Sequence, residues 1–223
     1  MSERPTLPLA ILISGGGSNM VAIAQACAAG RIKAAVNQVI CDRSDAAGIQ
    51  RARDLGLKAS LVARSGFTDE RAFERALTRT LEEHTHELVV LAGFMRVLSR
   101  PFVAQYAGRM LNIHPSLLPQ YRGMHTHRRV LAAAESEHGA SVHFVTAELD
   151  AGPVVLQSRV AVHAGDTEKI LAERVQATEY IIYPKVIGWI AQGRLVCRDE
   201  QAWFDGERLD EPMVEDWRGV TQD

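Results

Sequence analysis

With 25 Lys and Arg against 27 Asp and Glu over 223 residues, the chain carries a formal net charge of −2, so its overall electrostatics call for neither a nucleic acid nor an anionic membrane surface as partner. Its cysteines, Cys27, Cys41 and Cys197, are odd in number, far apart and free of any C-x-x-C pair, which indicates neither a disulfide framework nor a zinc site. No apolar run approaches a bilayer span, and the opening MSERPTLPLAILIS, cut by Pro5 and Pro8, fits a first strand better than a secretory leader.

Residues 7–14 are a short apolar run ending at glycines, the pattern of a buried strand. Residues 19–29 read as a helix that Gly30 stops, and 34–41, rich in Val and Ile, as a second strand. Asp45 is placed to N-cap a helix through Leu55, with Gly56 as its stop. Residues 58–63 form a third strand and 68–84 an amphipathic helix. Residues 87–94, ELVVLAGF, are apolar on both faces and predict a central strand covered on both sides. A short helix near 101–107 precedes a fifth strand at 110–114, which Pro115 ends.

This alternation predicts an α/β protein with a doubly wound, mostly parallel sheet, Rossmann-like in its N-terminal half. The pattern then changes. Strands at 141–145 and 154–162 are joined only by the short LDAGP segment, too short for a helical crossover, so the second half should contain antiparallel pairing. A long helix spans 167–192, and Pro184 inside it predicts a kink or break. Asp205-Gly206 marks a hairpin within 194–209. The expectation is one domain over 1–223, soluble and cytoplasmic, with its core over about 7–209 and a poorly ordered acidic tail over 210–223. An apolar face on the early helices fits either a homodimer contact or the core, and periodicity does not separate the two.

Two segments carry chemistry. In ISGGGSNM, after the first strand, three glycines let the backbone approach a ligand, and the N–H groups of Gly17, Ser18 and Asn19 open a helix, a phosphate site by geometry and dipole. Met20 stands where a dinucleotide fingerprint needs Gly, so a single phosphate fits better; a tight turn holding no ligand is the alternative. In the second segment, Asn112 and His114 leave one face of a strand at its carboxyl end, and Asp150 follows in a Gly-Pro turn. An amide donor, a group that exchanges protons near neutral pH and a carboxylate to orient it suit attack on a carbonyl. No Ser or Cys nucleophile lies in the motif, so direct transfer between two bound substrates is expected.

The strings ISGGGSN, VVLAGFMRVLS, NIHPSLLP, HTHR, EHGASVHFV, ELDAGPV and RVQATEYIIYP resemble, over about residues 9–209, the phosphoribosylglycinamide formyltransferases, a folate-dependent formyltransferase family of purine synthesis. The resemblance implies the formyltransferase fold, 10-formyltetrahydrofolate as cosubstrate, phosphoribosylglycinamide as acceptor and no metal. It implies that Gly17, Ser18 and Asn19 hold the acceptor phosphate, with Gln176 and Glu179 also on the acceptor, although both read unaided as exposed helix residues. Met95, Arg96, Val97 and Leu98 would line the pterin pocket with backbone polar groups. Asn112 would hold the oxyanion, His114 act as general acid, and Asp150 sustain its protonation and order a water.

Arg122 stands where members of that family often carry Pro, and QYRG is similar to formyltransferases acting on methionyl-tRNA or amino sugars. Arg122, His125, His127, Arg128 and Arg129 form a basic cluster that fits either steering of anionic substrates or a solvated helix start. A hydrolase of the same folate and a formyltransferase on another amine are the competing activities. The first is expected to carry an extra domain before this one, and the methionyl-tRNA enzyme one after it.

Overall fold

The computed structural model describes residues 4–219. In chain order the elements are β1 (Leu7–Ile13), α1 (Ser18–Ala28), β2 (Ala34–Cys41), α2 (Ala47–Asp54), β3 (Ala59–Leu61), α3 (Glu70–Glu82), β4 (Leu88–Leu91), α4 (Arg100–Gln105) and β5 (Met110–His114). There follow α5 (Thr126–Ala132), β6 (Glu137–Phe144), β7 (Val154–Ala161), α6 (Glu168–Ala191), β8 (Leu195–Arg198), β9 (Gln201–Phe204), β10 (Glu207–Arg208) and β11 (Met213–Asp216). Eight strands form one sheet in the order β11-β7-β6-β5-β4-β1-β2-β3, and β10-β9-β8 form a small second one.

The first five strands pair in parallel, and the β5–β6 and β6–β7 pairs are antiparallel, as the two sequence patterns predicted. Alternation along β1 supplies both cores. Leu9, Ile11 and Ile13 join the helices on one face through Met20 and Ile23 of α1 and Ile182, Val186 and Ile187 of α6. Ala10 and Leu12 join Phe73, Leu77 and Leu81 of α3 and Phe102 of α4 on the other. From β1 the chain builds outward through β2 and β3, then resumes on the opposite side with β4 and β5. That reversal opens a crevice beyond the carboxyl ends of β1 and β4, where ligands bind in open α/β sheets. The glycine loop, residues 93–98 and the Asn112–His114 strand end all reach it.

Three sequence expectations are corrected. Asp45 does not cap α2: Ala46 is the N-cap, and the Asp45 carboxylate instead takes two bonds from Arg43, at 3.0 and 2.6 Å. Pro184 does not break α6, which runs as one helix of 24 residues. An internal proline costs about 3 kcal/mol. Against this, α6 fully buries Leu171, Val175, Ile182, Val186 and Ile187, each contributing roughly 1.5–3 kcal/mol, so packing wins. The tail beyond Asp210 forms β11, added in parallel to β7 and held by Lys185–Glu215 and Arg218–Glu137 ion pairs; residues 220–223 lie outside the described residues. The Asp205-Gly206 hairpin forms as expected, both residues at positive φ (51° and 88°) as a two-residue turn requires.

Candidate active site

Gly17 ends the turn after β1 at φ 71°, a conformation that favours glycine. A Cβ there would lie 3.0 Å from Met20 Cε and 3.2 Å from Gly48 Cα, so the position is closed sterically as well. The first helical bond runs from Val21 N–H to the Gly17 carbonyl, and no side chain caps the helix. The preceding N–H groups, of Ser18, Asn19 and Met20, therefore have no partner within the helix. Arg51 Nη1 donates to the Gly16 carbonyl at 3.0 Å and braces the loop from outside.

Helix α6 brings Gln176 and Glu179 to this loop. Gln176 Nε2 donates to Ser18 Oγ at 3.2 Å, and Asn19 Nδ2 donates to Glu179 Oε2 at 2.7 Å. Glu179 is buried, against the unaided reading of it as exposed, whereas Gln176 is exposed. Burial raises the Glu179 pKa above the usual carboxylate range, and the Asn19 bond offsets part of that rise. Asn19 Oδ1 is buried and makes no hydrogen bond among the described residues.

At the end of β5, His114 Nε2 lies 3.0 Å from the Tyr121 carbonyl. A carbonyl only accepts, so Nε2 carries a hydrogen and Nδ1 faces Asp150 Oδ2 at 3.5 Å. Asp150 sits at φ 48° in the turn between β6 and β7, where its Oδ2 also accepts from Gly123 N–H at 3.0 Å. Gly152 is required in the same turn, because a Cβ there would fall 1.9 Å from the Phe144 carbonyl. Tyr183 of α6 places its hydroxyl 3.0 and 3.1 Å from the Leu91 and Leu111 carbonyls, sharing one proton between β4 and β5 just behind the site.

His143 was not anticipated. The antiparallel register sets it directly opposite Asn112, and Asn112 Nδ2 lies 3.1 Å from its Nε2. Its Nδ1 lies 3.0 Å from the Phe144 carbonyl and must donate there. The neutral ring then offers Nε2 only as an acceptor, which fixes the Asn112 amide with its nitrogen toward His143. Burial, partly opposed by the Phe144 bond, pushes the His143 pKa down to about 4 and keeps the ring neutral. Its 3.8 Å approach to Asp150 Oδ1 is therefore no ion pair at neutral pH.

Asn112, His114, His143 and Asp150 form one end of a cavity of about 410 Å³. Met95, Arg96, Val97 and Leu98 form a wall of it, with Met124 and Leu149 also lining it. Most of the basic cluster is spent internally. Arg122 pairs with Glu148 at 3.0 Å, Arg129 donates to the Arg122 carbonyl and lies over the Tyr121 ring, and His127 contacts His138 at 3.0 Å. Among the described residues, no group of three or more His, Cys, Asp or Glu side chains is placed to hold a metal, and no helix is long and apolar enough to cross a membrane.

A crevice at the switch point of an α/β sheet, lined by an amide, histidines and carboxylates, holds the kinds of hydrogen-bond donor and proton-exchanging group that acyl transfer uses. Residues 7–187 match the family described as formyl transferase, and the chain belongs to that family. It is 51% identical over 201 residues to the phosphoribosylglycinamide formyltransferase of Escherichia coli, covering 90% of this chain and 95% of that one. The solved phosphoribosylglycinamide formyltransferase of Coxiella burnetii is 44% identical with a TM-score of 0.89, over 94% of this chain and 99% of that one. A formyltetrahydrofolate deformylase from Pseudomonas syringae shares only the fold, at 20% identity and a TM-score of 0.83, over 89% of this chain and 66% of that one.

Proposed function

We propose that this formyl transferase moves the formyl group of 10-formyltetrahydrofolate to the amine of 5′-phosphoribosylglycinamide in purine biosynthesis. The observation that carries the reading is the 51% identity along 95% of the Escherichia coli phosphoribosylglycinamide formyltransferase. The convergence of Asn112, His114 and Asp150 on one cavity supports it.

The acceptor phosphate sits on the backbone N–H groups at Gly17, Ser18 and Asn19, where the helix terminus favours an anion. Gln176 and Glu179 face the same ligand, and Glu179 keeps Oε1 to accept from the glycinamide, since only Oε2 is bonded to Asn19. The folate ring lies against Met95, Arg96, Val97 and Leu98. The amine lone pair attacks the formyl carbon, and the carbonyl electrons move to oxygen. Asn112 donates its remaining N–H to that oxyanion, because its other N–H is held by His143. His114 Nε2 is tied to Tyr121, so the proton it exchanges is the one on Nδ1, beside Asp150. The Asp150 carboxylate, 3.5 Å from Nδ1, balances the imidazolium charge. Collapse of the adduct expels the folate nitrogen, which takes the proton of His114 Nδ1, and the attacking amine gives its own proton back to Nδ1, so the histidine ends as it began. The setting proposed is a cytoplasmic, one-domain enzyme acting on small molecules, without nucleic acid or membrane partners, with a homodimer as the assembly to test by sedimentation.

The test is a spectrophotometric transfer assay with 10-formyltetrahydrofolate, with and without glycinamide ribonucleotide. Folate turnover should require the nucleotide. Equal turnover without it would replace this reading by folate hydrolysis, and turnover only with another amine would replace the acceptor.

A further inference from the structure

The cavity wall at residues 95–98 has no helix or strand of its own, and the Met95 and Val97 side chains are about two-thirds exposed. It is fixed from behind by residues that do not line the cavity. Ser14 Oγ, at the end of β1, accepts from Met95 N–H at 2.8 Å. Asp42, just beyond β2, holds Arg96 Nε at 2.6 Å. Glu74 of α3 takes both hydrogens of Ser99, the residue that closes the wall: N–H to Oε1 at 2.6 Å and Oγ–H to Oε2 at 2.5 Å. Ser99 Oγ in turn caps α4.

Glu74 is the unusual member. It is only 7% exposed, stands beside Phe73 and Leu77 on the buried face of α3, and forms no salt bridge with the described residues. Burying a carboxylate without a cation is costly, and an apolar residue would suit that helix face better. Its two oxygens are both spent on one residue, the one directly after the 95–98 backbone that faces the cavity. We infer that Glu74 is a positioning residue for the folate cosubstrate, holding the 95–98 wall in its binding geometry through Ser99 while touching no substrate. The inference rests on the folate reading of this cavity.

The test compares Glu74→Ala, Glu74→Gln and Ser99→Ala with the wild type. Calorimetric titrations with 10-formyltetrahydrofolate and, separately, with glycinamide ribonucleotide accompany steady-state kinetics. Glu74→Ala should raise the Kd and KM for the folate about tenfold, the scale of one or two lost charge-assisted hydrogen bonds. The nucleotide Kd and the kcat at saturating folate should stay within about threefold, because the wall does not contact the acceptor. Glu74→Gln keeps an acceptor for the Ser99 N–H, and the hydroxyl can turn to accept from the new amide, so it should fall between the wild type and Ala. Ser99→Ala should resemble Glu74→Ala, with the double variant no worse than either single one. Should Glu74→Ala fail to fold, Ser99→Ala carries the test on the same criteria. An unchanged folate Kd, or equal weakening for both substrates, would overturn the positioning role. A wild type that binds no folate would overturn the reading of the cavity, and this role with it.

Discussion

The two ends of the site are assembled in opposite ways. The proposed acceptor end is largely local: six consecutive residues from Ser14 to Asn19 turn off β1 into α1, with Arg51, Gln176 and Glu179 reaching them from elsewhere. The transfer end is assembled from a distance. Asn112 and His114 come from β5, His143 from β6 and Asp150 from the following turn, and each is held by a partner on another segment. Backbone dipoles and glycine geometry suffice to receive a phosphate. Moving a proton needs side chains at fixed separations, and only long-range pairing supplies those.

Losses should therefore be steepest at the transfer end. His114→Ala is expected to lower kcat by about a thousandfold, within the range for a lost general acid, read by single-turnover formyl transfer. Asp150→Asn keeps the Gly123 bond through its amide oxygen but removes the charge beside His114. It should cost about a hundredfold in kcat with KM nearly unchanged; unchanged turnover would remove Asp150 from the mechanism. His143→Ala frees the Asn112 amide to rotate and should lower kcat about tenfold, and a loss confined to thermal stability would make His143 purely structural.

At the acceptor end the loss should appear in binding. Gly17→Ala forces a side chain into a positive φ and against Met20 and Gly48, so the KM for the ribonucleotide should rise about fivefold at a strain of about 1 kcal/mol. A larger fall in kcat than in affinity would erase the contrast between the ends. Stability against pH comes last and leaves the contrast between the two ends untouched. Burial holds His143 at about 4 and His138 at about 3, against an ordinary value of 6.5. Above pH 6.5 both the folded and unfolded chains keep these rings neutral. Below it the unfolded chain takes up protons that the folded one refuses, so stability should fall as pH drops from 6.5 toward 4. Melting temperatures across that window should decline, and His138→Gln should flatten the decline.

Much of this was legible before any coordinates. The β–α alternation, the switch to antiparallel pairing at LDAGP, the glycine turn and the Asn112–His114 spacing all follow from short-range rules of period and sterics, which a sequence states directly. Two local rules were overruled by contacts made elsewhere. Asp45 meets Arg43 before it can cap α2, and the apolar face of α6 carries Pro184 through the helix. His143 became visible only when β6 paired with β5, because register decides which histidine lies opposite Asn112. Glu179 and Glu74, polar residues on helices, owe their burial to what packs over them. The sequence by itself determined the order of elements and pointed to Asn112, His114 and Asp150 as candidates, since strand period and turn chemistry are written within a few residues. The tertiary structure alone decided which histidine meets Asn112, which carboxylates are buried and what holds the cavity wall, because those depend on partners 25 to 160 residues away.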